Sequence, residues 1–150
     1  MQMTAIVAWL AMNFGLPVTE AYPEIEFLDR DKMIAVRAAP LNAEQTESLI
    51  LYHENGPDLV ALYDDHSRTI YLPENWSPTS PADVSVLVHE MVHHVQNIQG
   101  EMFICPEARE KPAYLAQSKW LEEAGLSLES EFELDRMTLH FLTNCWLGGT

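Results

Sequence analysis

The stretch that most constrains this chain is residues 80–100, "SPADVSVLVHEMVHHVQNIQG". Ser80 suits an N-cap, Pro81 the first helical position and Asp83 the first turn, while Gly100 supplies a stop, so the spacing predicts one helix between them. Val84, Leu87, Val88, Met91, Val92, Val95 and Ile98 recur at three- and four-residue steps, which gives that helix a stripe to bury. His89, Glu90 and His93 interrupt this apolar setting instead of lying opposite it. Burying two imidazoles and a carboxylate without partners is costly, so the fold must bring partners to them.

The remaining elements follow from local signals. "MTAIVAWLAMNFGLP" reads as a helix with Ile6, Trp9, Leu10 and Leu16 toward the core and Gly15 and Pro17 as its stop. It lacks the basic region and cleavage site of a signal peptide and the roughly 20 apolar residues of a membrane span. A precursor that had already lost its signal would look the same. "IEFLDRDKMIAVRA" reads as two short extended segments around a turn, and "LNAEQTESLILYHENG" as a helix from Asn42 to Gly56. Leu59–Tyr63 and Thr69–Leu72 flank "DDHSR" as a β-hairpin that Pro73 ends. Two more helices are expected, over about 106–123 and about 127–146. The expectation is an α+β fold in a single domain spanning 1–150, with a small antiparallel sheet packed on several helices.

The charge narrows the partners. With 23 acids against 8 bases the net charge is −15, which repels phosphate backbones and anionic lipid, so neither nucleic acid nor membrane insertion is expected. Two cysteines, Cys105 and Cys145, stand in no metal-ligand spacing. They are either two buried free thiols, consistent with a cytoplasmic protein, or one disulfide, consistent with a secreted or periplasmic one.

His89 and His93 are four apart, so on a helix both imidazoles can reach one tetrahedral Zn²⁺. Glu90 lies about 100° around the axis, placed to act on water without ligating. This H-E-x-x-H pattern carries a mechanism at each fixed letter. A third protein ligand is then needed, leaving the fourth position open. Only "GEMFIC" separates this helix from the next, so an antiparallel helix pair would bring back Glu110, the first choice, or Glu107, the reserve.

"HEMVHH" followed by "REKPAY" resembles the gluzincin clan of zinc metallopeptidases, and in particular its small single-domain members. The resemblance covers roughly residues 59–121. It implies a minimal zincin-like domain with one Zn²⁺ per chain on His89, His93 and Glu110, the last as the glutamate of an E-x-x-A-[DY] pattern, "EKPAY". It implies Glu90 as general base, a peptide or protein substrate, and "TIYLP" as the strand at the cleft edge on which substrate would pair. Larger members place an aspartate four residues after the glutamate to orient the first histidine; Tyr114 stands there, so that histidine's partner is unassigned. Pro112 implies either a helix starting near Glu110 or one that bends.

Tyr114 and His94 are the candidate oxyanion donors, with His140 a more distant third. His94 reads more simply as a partly exposed residue beside the site, and His53 and His66 as surface histidines. Gln96 returns to the face of His89 and is a candidate contact for the hairpin or substrate. The acids of "LEEAGLSLESEFELD" read as a solvated face, or alternatively as a cleft favouring basic substrates. Trp76, Trp120, Trp146, Tyr71 and Phe141 read as packing, with a specificity pocket as the alternative. Beside the peptidase reading stands a metallopeptidase-like module that keeps zinc for structure and docks a partner. An open fourth position and a groove would separate the two readings. A metal-free helical protein with an accidental motif is the third.

Overall fold

Ser80 and Gly100 delimit the histidine-bearing helix as their chemistry requires. In the computed structural model, which describes residues 3–55 and 60–146, Ser80 Oγ accepts from the Asp83 N–H, and Gly100 adopts a left-handed φ of 64° that closes the last turn. Seven helices and three strands are described: α1 (Met3–Phe14), β1 (Glu24–Leu28), α2 (Arg30–Ala38), α3 (Ala43–Asn55), β2 (Leu62–Asp64), β3 (Thr69–Pro73), α4 (Pro81–Gln99), α5 (Pro106–Glu123), α6 (Leu128–Phe132) and α7 (Arg136–Thr143). The class is α+β. Gly56 and Leu59 lie outside the described residues, as does the side chain of His53.

The sheet differs from the expected antiparallel one. Its order is β1-β3-β2, with β1 parallel to β3 (Glu24 opposite Thr69) and β2 antiparallel to it (Leu62 opposite Tyr71). β3, the "TIYLP" strand, is therefore central with both edges occupied. Thr69, Ile70 and Leu72 are buried accordingly, and no edge is left on β3 for a substrate. Among the described residues β2 pairs on one side only, with β3.

"DKMIAVRA" is helical, not extended. Asp29 caps it, accepting from the Lys32 N–H at 2.8 Å, and Asp31 sits in the first turn. These N-terminal signals prevail over the strand preference of Ile34 and Val36 because α2 buries only Met33 against the core. The last expected helix is likewise two. Glu133 takes a left-handed φ of 56°, ending α6, and Asp135 caps α7 afresh.

α4 forms the centre of the core. Val84, Leu87, Val88, Met91 and Val92 pack with Ile6, Val7 and Leu10 of α1, Ile70 and Leu72 of β3, and Ala113 and Ala116 of α5. The two alanines keep α5 close to α4. Contacts pair Gln96 with Arg109, His93 with Glu110, and His89 and Ser85 with the α5 stripe near Gln117, so residue numbers fall on α4 as they rise on α5 and the helices run antiparallel. α5 starts at Pro106, with Pro112 inside it, which removes the alternative of a start near Glu110. Cys105 and Cys145 form a disulfide with Cα atoms 5.8 Å apart, tying the N-cap of α5 to the segment after α7. No helix among the described residues is long and apolar enough to cross a membrane.

Candidate metal centre

Both Nε2 atoms of the motif histidines converge on one carboxylate oxygen. Glu110 Oε2 is 3.0 Å from His89 Nε2 and 3.1 Å from His93 Nε2. The three residues offer ligand atoms within 4.8 Å of one another, so the group could hold a metal ion. Glu107 does not belong to it. Glu110 reaches it because "GEMFIC" is short enough to fold α5 straight back along α4, and because Glu110, Ala113 and Gln117 share one stripe of α5.

The opposite ring nitrogens are equally determined. His89 Nδ1 lies 2.9 Å from Gln117 Oε1, and His93 Nδ1 lies 2.9 Å from Gln96 Oε1. Each amide can face only one way. Gln96 Nε2 donates to the Arg109 carbonyl at 3.0 Å. Gln117 Nε2 donates to Ser85 Oγ at 3.3 Å, and that hydroxyl has already given its proton to the Ala82 carbonyl at 2.6 Å. Both Oε1 atoms are thus acceptors, and both imidazoles carry their proton on Nδ1. A neutral ring then aims its Nε2 lone pair at the Glu110 carboxylate, where lone pair meets lone pair. Only protons or a cation between them resolve this. Without a cation, burial lowers the His93 pKa, but the Glu110 hydrogen bond and the Glu90 and Glu110 charges outweigh it and hold the pKa above the usual histidine value. For Glu110 burial acts upward, and the histidine hydrogen bonds and charges overcome it, leaving the carboxyl far below the ordinary range.

Gln117 is the partner that the Tyr114 departure left unassigned. It was missed because the orienting group is an amide and lies seven residues, not four, beyond Glu110. The hydrogen bonds of Gln96 go to His93 and to Arg109 of α5.

Glu90 lines the same cavity and is only 8% exposed. Burial pushes its carboxyl above the usual value, against the pull of His89 and His93. Among the described residues nothing donates a hydrogen bond to it. A desolvated carboxylate without donors is a ready proton acceptor.

The cavity is about 340 Å³, within the range of small-ligand sites, and is lined by His89, Glu90, His93, Glu110 and Tyr114 from the two helices, Ala61, Leu62 and Tyr63 around β2, Leu142 from α7, and Arg37 and Arg109. The Tyr114 ring stands edge-on to His89 with centroids 4.5 Å apart. Arg109 grips Asp65 with both terminal nitrogens and reaches Gln96 Oε1 through Nε at 3.3 Å, locking the hairpin turn to the histidine support.

His94 is corrected. It is fully buried, not partly exposed, and points away from Glu110, donating through Nε2 to the Ala21 carbonyl and accepting from the Tyr63 hydroxyl at 2.8 Å. With both nitrogens engaged it can neither ligate nor donate at the centre. His140 is an exposed residue of α7 beside Asn144 and does not line the cavity. Trp76 packs beside Phe27 and Trp120 against Trp9, while Phe141 and Trp146 are exposed; with Tyr71, none of them lines the cavity. Nor does any acid of residues 121–135.

Residues 1–146 match the family described as a domain of unknown function (DUF6647), and the chain belongs to that family. No curated protein and no solved structure matches it.

Proposed function

We infer that this member of the DUF6647 family is a zinc-dependent peptidase of minimal zincin-like form, with His89, His93 and Glu110 as metal ligands. The observation that carries the reading is the pair of Nε2 lone pairs directed at one Glu110 oxygen by amides that cannot turn. Two imidazoles and a carboxylate are a donor set suited to catalytic zinc. When bound, zinc supplies the Lewis acidity that makes water nucleophilic near neutral pH and polarises a carbonyl.

The chain's own residues supply the rest. Glu90, desolvated and without donors, takes the proton from the attacking water and returns it to the leaving amine. Gln117 and Gln96 keep the imidazoles in the ligating tautomer. Tyr114 is the proposed hydroxyl donor to the carbonyl oxygen as it gains charge. The edge of β2 that no described strand pairs with, beside Leu62 and Tyr63 on the cavity, suits an extended peptide backbone. The cavity beside the ligands favours an enzyme over a zinc module closed for structure. The disulfide supports an oxidising compartment, outside the cytoplasm.

The test is Glu90→Gln in the zinc-loaded protein, assayed on a peptide library. Retained zinc with cleavage reduced about 100-fold or more is expected; unchanged cleavage contradicts the mechanism.

A further inference from the structure

The cavity is less acidic than the molecule around it, its two arginines matching its two glutamates. In a chain of net charge −15 with 8 bases, two arginines line this one cavity. They are not equivalent. Arg109 is consumed by Asp65 and Gln96. Arg37 is exposed, and among the described residues no hydrogen bond, ion pair or ring contact engages it. Its placement is nevertheless fixed by the fold. Met33, 1% exposed, anchors α2 to the core, and Arg37 follows four residues later on the same helix face, so it leans over the cavity and not away from it.

We propose that Arg37 is the docking group for a carboxylate on the substrate. The proposal rests on the peptidase reading and deepens it. The guanidinium fork pairs with a carboxylate through two parallel hydrogen bonds, which a compact ammonium cannot do. Neither cavity acid pairs with Arg37: Glu110 is held by the two histidines, and Glu90 is buried on α4. An incoming anion therefore meets one free cation among the described lining residues, on α2, across from the ligands on α4 and α5. The strongly acidic exterior repels such a substrate, so the contact acts as a selection at short range and not as long-range steering. Two peptide groups carry this chemistry, the C-terminal carboxylate and an Asp or Glu side chain. A free C-terminus would make the enzyme trim chain ends; a side chain would make it cut beside acids.

The experiment uses three N-acetylated peptides of one sequence: a free C-terminal acid, its amide, and the amide with one glutamate introduced. Binding is measured by calorimetry on zinc-loaded Glu90→Gln protein, which keeps the peptides intact, with Arg37, Arg37→Lys and Arg37→Ala. One of the two carboxylate peptides is expected to bind about tenfold or more tightly than the plain amide, which identifies the source of the carboxylate. Arg37→Ala abolishes the preference and Arg37→Lys keeps part of it. A preference that survives Arg37→Ala, as when the carboxylate sits on the metal, overturns the proposal. So does equal binding of all three, or binding of none. Failure of the peptidase reading is scored separately, by absent zinc or by absent cleavage of the same peptides with Glu90 intact.

Discussion

Gln117 Oε1 accepts the Nδ1 proton of His89 across 2.9 Å and 28 residues of sequence. Its own amide nitrogen is held by Ser85, so the ring of His89 is oriented from a helix that carries none of the histidines. Gln117→Leu removes this acceptor while filling similar volume. Zinc affinity is expected to fall about 10- to 100-fold, the usual effect of losing a ligand's supporting hydrogen bond, as read by competition with a chromogenic chelator. An unchanged affinity would show that Gln117 only packs.

Arg109 joins the hairpin turn at Asp65 to Gln96, and through it to His93. Arg109→Met keeps the aliphatic stem but drops both links. Its expected effect on zinc affinity is smaller than that of Gln117→Leu, while hydrogen exchange in residues 62–69 rises. Equal protection of the hairpin in both proteins would remove the coupling.

The disulfide ties Cys105 to Cys145 over a separation of 40 residues. Changing both to serine is expected to cost about 2–4 kcal/mol in unfolding free energy, measured by denaturant titration of the zinc-loaded protein. Serine at 105 still offers an N-cap oxygen to the Ala108 N–H, so α5 should keep its start and Glu110 its place. Loss of zinc binding in a folded double variant would contradict this.

The metal-free protein has its own pH signature. The raised His93 pKa stabilises the fold below the ordinary histidine value of 6.5 and ceases to do so as pH rises through the shifted value. The lowered Glu110 pKa stabilises it above the ordinary 4.5 and ceases to do so as pH falls toward its shifted value. His93 and Glu110 together therefore help the metal-free fold most between those two ordinary values. On the proposed reading zinc would compete with the same protons, so the gain in Tm on adding zinc should be larger at pH 8 than at pH 5.5. A gain that shrinks as pH rises would be the contrary result.

What could be read from sequence was local. Ser80, Pro81 and Gly100 bound α4 with their own side chains and backbone, and the four-residue step of His89 and His93 needs only a helix to be meaningful. Glu110 was legible because a six-residue connection leaves the next helix little choice but to fold back. The orienting amides were not, because Gln96 and Gln117 take their roles from neighbours across the helix pair. The position of β3 was hidden for a similar reason. Its parallel partner β1 lies far back in the chain, and nothing within "TIYLP" names a partner, although its nearly unbroken apolar run is what a strand paired on both sides carries. α2 shows the opposite case, where Asp29 was the informative residue and the β-branched run after it was not.

The central claim is tested most directly by zinc content per chain after equilibrium dialysis, compared among the unaltered protein, Glu107→Ala and Glu110→Ala. One zinc is predicted for the first two and none for Glu110→Ala. No bound zinc in the unaltered protein, or a full complement in Glu110→Ala, would contradict it.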